Sequence, residues 1–122
     1  MTGSRLIDSS VWLSYFLNED FKDIIENEDL LLLSALSLFE IKRKLAKNNI
    51  PSAKISKSID FIKKRSLVIL VTAEIAEKAS EVALEHDLPV VDSLIYSTSL
   101  LHSSVLYTLD NDFRKLKDAV VL

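Results

Sequence analysis

Arg5-Leu6-Ile7-Asp8-Ser9-Ser10-Val11-Trp12 is the stretch that decides the fold. Ser4 to Ile7 reads as a short strand that stops at a carboxylate. Two hydroxyl residues follow, and Ser9 or Ser10 can cap a helix running to about Leu17. A strand that runs straight into a helix is the start of a βα unit. An acid set among apolar residues at that junction is costly unless a partner offsets its charge.

Three further acids stand in comparable settings. They lie in Ser37-Leu38-Phe39-Glu40-Ile41, in Pro89-Val90-Val91-Asp92-Ser93-Leu94-Ile95 and in Tyr107-Thr108-Leu109-Asp110-Asn111-Asp112-Phe113. No matching set of buried bases lies near them in sequence. Four such acids point to a shared cation.

Outward from Asp8 the pattern keeps alternating. A second helical stretch is expected from about Glu19 to Glu26, then a buried strand at Leu30 to Leu33, an unbroken apolar run. Helices follow over Leu36 to Asn48 and from Ser52, with Ile55, Ile59 and Ile62 in register. Leu67 to Val71 reads as a strand, and Thr72 caps a helix from Ala73 to His86. Asp92 falls near the start of a helix reaching about Leu101. Val105 to Thr108 is a strand, a short helix follows Asp110, and Ala119 to Leu122 is a final strand.

This alternation predicts one α/β domain over residues 1–122, built on a parallel sheet. Open sheets of this kind bind ligands beyond the carboxyl ends of their strands. Asp8 and Asp110 follow strands directly, while Glu40 and Asp92 lie in the first halves of helices that start on the same edge. The spacing thus lets four acids converge from four separate segments.

Composition narrows the chemistry. The chain of 122 residues has no cysteine, one glycine and two prolines. Without cysteine there are no disulfides, zinc–thiolate sites or thiol nucleophiles, which fits a reducing cytoplasm. A lone glycine, Gly3, cannot build the glycine-rich loops that cradle nucleotide phosphates. The longest nearly apolar run, Leu30 to Phe39, is too short to span a bilayer, and no signal peptide is evident.

The net charge of −3 hides an uneven distribution. Between Lys42 and Arg65 there are nine bases and one acid, Asp60. Such a stretch is either a solvated helix face or a patch that meets a polyanion such as RNA.

Oxygen-only ligands favour Mg²⁺ or Mn²⁺ over Zn²⁺. These ions activate water and stabilise charge on a phosphoryl oxygen during phosphodiester cleavage. Plainer roles exist for each acid. Asp8 or Asp92 can cap a helix, Glu40 can face solvent, and Asp110 can open a turn. Asp112 can cap or line the site. Ser10 can bond a ligand or cap, and Thr108 can orient Asp110. His86 and His102 sit at helix ends and carry no catalytic expectation.

The ordered set Leu6-Ile7-Asp8-Ser9-Ser10, Glu40, Val91-Asp92-Ser93-Leu94-Ile95 and Thr108-Leu109-Asp110-Asn111-Asp112-Phe113 resembles the PIN-domain ribonucleases, in particular the VapC toxins of toxin–antitoxin pairs. The resemblance spans essentially the whole chain. It implies about five parallel strands with helices on both faces, and a Mg²⁺- or Mn²⁺-dependent endonuclease for single-stranded RNA. By motif, Asp8, Glu40, Asp92 and Asp110 would be catalytic acids and metal ligands, with Asp112 a possible fifth and Ser10 the hydroxyl beside the first. It also implies a homodimer, a cognate antitoxin and a cytoplasmic location. The chain departs from the family at His86-Asp87, where a glycine is common, and in its polar helix after Asp92. Two other readings are a non-catalytic scaffold for RNA or a protein partner, and a receiver-type signalling domain. The latter fits poorly, because Asp8 stands alone and no Asp follows Leu67 to Val71.

Overall fold

The computed structural model describes residues 3–122. Strand β1 (Arg5–Ile7) leads into α1 (Ser9–Asn18) and the single turn α2 (Lys22–Ile25). Then come β2 (Leu31–Ser34), α3 (Ala35–Lys47), α4 (Ser52–Arg65) and β3 (Ser66–Ile69). Helices α5 (Ala73–His86) and α6 (Val90–Leu101) precede β4 (Val105–Thr108), a 3-10 turn (Asn111–Phe113) and β5 (Ala119–Val121).

All five strands are parallel, in the order β3-β2-β1-β4-β5. The chain builds outward from β1 through β2 and β3, then returns to lay β4 on the other side. The reversal falls between β1 and β4, which is where open α/β sheets form their ligand crevice.

Apolar runs in the strands are explained by burial on both faces. Alternate residues of β1 and β2 feed two separate cores. Ile7, Leu31 and Leu33 join Val11, Trp12, Ile25, Ile41, Leu45 and Ile62 from α1 to α4. Leu6, Leu32 and Leu106 join Val82, Ile95, Tyr96 and Phe113 on the side of α5 and α6. Trp12 is fully buried and stacks on Phe16, so it is a core residue rather than a platform for bases.

Several boundaries differ from expectation for local reasons. The N-cap of α1 is Asp8, while Ser9 and Ser10 are its first two residues. Helix α2 is only Lys22–Ile25, because Glu19 and Phe21 take left-handed backbone at φ 59° and 61° and interrupt the spiral. Strand β3 ends at Ile69, since its partner β2 turns into α3 after Ser34. The Thr72 cap forms as expected, its hydroxyl accepting from the Ile75 amide at 3.2 Å. Asp87 ends α5 in left-handed backbone at φ 53°, the conformation in which a glycine would be relaxed. Among the described residues no helix is long and apolar enough to cross a membrane.

Candidate metal centre

The carboxyl ends of β1 and β4 meet side by side, with Ile7 in register with Tyr107. The amide of Asp8 donates to the Tyr107 carbonyl at 3.0 Å, which fixes Asp8 at the crevice floor. Asp8 is buried, at 9 % exposure. It occupies the helix cap position, yet its side chain makes no capping bond. Its Oδ2 instead accepts from two hydroxyls, Ser10 at 2.8 Å and Thr108 at 2.9 Å.

Those hydroxyls also hold the chain that leaves β4. The Leu109 amide donates to Ser10 Oγ at 3.0 Å, and the Asp110 amide donates to Thr108 Oγ1 at 3.0 Å. Each hydroxyl thus donates to the acid of β1 and accepts from the loop that carries the acids of β4. Both converge on Oδ2, so Oδ1 has no side-chain donor among the described residues.

Asp110 then caps the 3-10 turn, its Oδ1 accepting from the Asp112 amide at 2.9 Å. This turn brings the two acids together on one side. Asp92 comes from the first turn of α6, where Pro89 holds the cap position and leaves the Asp92 carboxylate uncommitted to capping. Oxygens of Asp92, Asp110 and Asp112 all lie within 4.8 Å of one another. Two ligands on opposite sides of one Mg²⁺ stand about 4.2 Å apart, so small side-chain adjustments suffice for a single ion.

Glu40 comes from the second turn of α3, which Ser34 caps through its hydroxyl and the Leu36 amide. It is half-buried rather than solvated, and Ser9 Oγ donates to its Oε1 at 3.4 Å. Asp8 and Glu40 lie outside the compact trio but act on it electrostatically. Burial and the neighbouring charges of Asp110, Asp8, Asp112 and Glu40 push the Asp92 carboxyl up to about 6. Glu40 is also raised, by burial and by Asp8, with Lys44, Ser9 and Arg43 pulling the other way. Five acids therefore share one field with too little positive charge to balance it. A divalent cation held by oxygen ligands is the species that fits such a donor set.

The sequence placed Asp8, Glu40, Asp92 and Asp110 on one edge, and the structure brings all four there with Asp112. Ser9 was missed as a partner of Glu40; adjacency to Asp8 was its only signal. The histidines stand apart: His86 packs edge-on to Tyr96, and His102 bonds the Thr98 carbonyl. Of the nine bases, Arg65 is structural, donating to the Ile25 carbonyl and to Asn27 Oδ1.

Residues 5–119 match the PIN domain, and the chain belongs to the PIN-domain family. Its fold is shared by a toxin–antitoxin complex from Klebsiella pneumoniae, at TM-score 0.79 and 19% identity over 95% of both chains. VapBC2 from Rickettsia felis, solved on a fragment of its promoter DNA, gives TM-score 0.77 at 13% identity over 96% of both chains. The sarcin–ricin-loop-cleaving toxin VapC20 of Mycobacterium tuberculosis gives 0.74 at 20% identity, over 93% of this chain and 95% of that one. No curated protein matches the chain by sequence.

Proposed function

We propose that this protein is a divalent-metal-dependent endoribonuclease that cuts single-stranded RNA, acting as the toxin of a toxin–antitoxin pair. The observation that carries the reading is the convergence of Asp8, Glu40, Asp92, Asp110 and Asp112 at the β1–β4 crevice. In this reading Asp92, Asp110 and Asp112 hold Mg²⁺ or Mn²⁺, and Asp8 contributes through Oδ1. The bound ion supplies Lewis-acid stabilisation of phosphoryl charge and an acidified water. Ser10 and Thr108 hold Asp8 in place and keep the Asp110 loop against it. Glu40, with its affinity for protons raised by burial and by Asp8, stands beside the cluster as a carboxylate that can take up a proton.

Membership of the PIN family and the likeness to VapBC and related toxin structures support the toxin role. A cognate antitoxin is the proposed partner, with a homodimer as the assembly and the cytoplasm as its place. The test is RNA cleavage by protein purified free of antitoxin, with Mg²⁺ or Mn²⁺ and with chelator. Asp8→Asn and Asp92→Asn are expected to abolish cleavage. Cleavage equal to wild type in both variants overturns the reading.

A further inference from the structure

We propose that Phe39, with the Arg43 guanidinium over its ring, is a platform on which one base of a single-stranded RNA rests, on the helix that carries Glu40. The proposal rests on the nuclease reading and adds the direction in which the strand leaves the crevice.

Helix α3 buries Ser37, Ile41 and Leu45. Phe39, Arg43 and Lys47 run along the helix at the same fourfold spacing, about 200° around from that buried ridge, and all three are exposed. Phe39 is 67% exposed, although it sits one residue from Glu40. A lone apolar side chain at a surface means little. This one has a guanidinium 5.7 Å from its ring centroid, and the helix carries no acid except Glu40. Phe39 precedes Glu40 and Arg43 follows it by three residues, so one helix carries both the platform and that acid.

The surroundings favour a nucleic acid over a protein. Lysine is depleted at protein interfaces, whereas this ring is followed along its own face by Arg43 and Lys47 and flanked by Lys42. An aromatic face with a guanidinium plane and flanking cations offers a single strand both a stacking surface and phosphate contacts. The acids repel phosphate unless metal is bound, so a cationic track leading from them gives the flanking backbone a place to lie.

The test measures anisotropy of a short fluorescein-labelled single-stranded RNA in an Asp92→Asn background, alongside cleavage by otherwise wild-type protein. Phe39→Ala is expected to weaken binding about tenfold with unchanged salt dependence, and Phe39→Trp to retain it. Arg43→Ala is expected to lower the slope of log affinity against log salt by about one. In the cleavage assay Phe39→Ala raises KM more than it lowers kcat. If wild type cleaves RNA while Phe39→Ala and Arg43→Ala bind it as the parent does, the platform is overturned and the nuclease reading stands. If wild type neither cleaves nor binds RNA, both fall. If Phe39→Ala changes only the oligomeric state or capture of a protein partner, the face is a protein contact and the platform is overturned.

Discussion

Asp8 and Thr108 are 100 residues apart, and the Thr108 hydroxyl donates to Asp8 Oδ2 at 2.9 Å. The Thr108 hydroxyl oxygen in turn accepts from the Asp110 amide at 3.0 Å. One side chain of β4 therefore sets both the first acid and the loop bearing two others.

Replacing Thr108 by Val keeps the shape and removes both bonds. The buried Asp8 loses a donor and the Asp110 amide loses its acceptor, at an expected cost of about 1–3 kcal/mol. Denaturant unfolding is expected to show that loss, and RNA cleavage to fall with it. Thr108→Ser is expected to recover both, which separates positioning by the hydroxyl from packing by the methyl group. Ser10→Ala, which breaks the parallel arrangement, is expected to weaken Mn²⁺ binding by about tenfold or more, read by calorimetric titration.

The acid cluster makes metal-free stability depend on pH in an unusual direction. The Asp92 carboxyl stands at about 6 in the folded protein, against an ordinary 3.8. Between those values the folded chain holds a proton that the unfolded chain has released, so this group adds stability as pH falls from about 7 towards 4. The contribution is complete below the ordinary value and is lost as pH rises through about 6. Glu40 shifts in the same direction. Thermal melting of metal-free protein is expected to show this slope, and Asp92→Asn to flatten it. Saturating Mn²⁺ is expected to raise the melting temperature most at the upper end. A wild-type profile identical to that of Asp92→Asn contradicts the prediction.

Arg65 differs in kind from the lysines beside it. Its guanidinium closes the end of α4 onto the Ile25 carbonyl and Asn27. Arg65→Ala is expected to cost about 1–3 kcal/mol in urea unfolding, because the Ile25 carbonyl loses a charged donor. Lys63→Ala and Lys64→Ala, both exposed, are expected to stay within about 0.5 kcal/mol of wild type.

Helix α1 ends at Glu19, an exposed residue held at φ 59°. Left-handed backbone costs a residue with a side chain roughly 1–2 kcal/mol. The Lys22–Glu19 ion pair at 3.4 Å is exposed and offsets little. Glu19→Gly is therefore expected to raise the urea midpoint without affecting RNA cleavage.

The edge of the sheet that carries the acids was legible because strand ends and helix starts mark it. Asp8 follows an apolar run and Asp92 follows a proline, so their places needed only local patterns. The order of strands was not legible, since the pairing of β1 with β4 joins residues some 100 positions apart. Asp112 was the least secure acid in the sequence and belongs to the compact trio in the structure. Its place depends on one bond, from its own amide to the Asp110 carboxylate, that no residue pattern announces. The length of α2 was misjudged because Phe21 adopts a backbone conformation that bulky side chains disfavour.

The reversal of strand order between β1 and β4 also sets when the acid cluster can assemble. Chains are synthesised from the N-terminus, and early segments begin to organise first. An unfinished chain that stops before Val105 has Asp8, Glu40 and Asp92 but neither hydroxyl support from Thr108 nor the acids at 110 and 112. The crevice is complete only when residues 105–112 are in place beside β1. On the nuclease reading, a chain lacking residues 105–122 is therefore expected neither to bind Mn²⁺ at the crevice nor to cleave RNA.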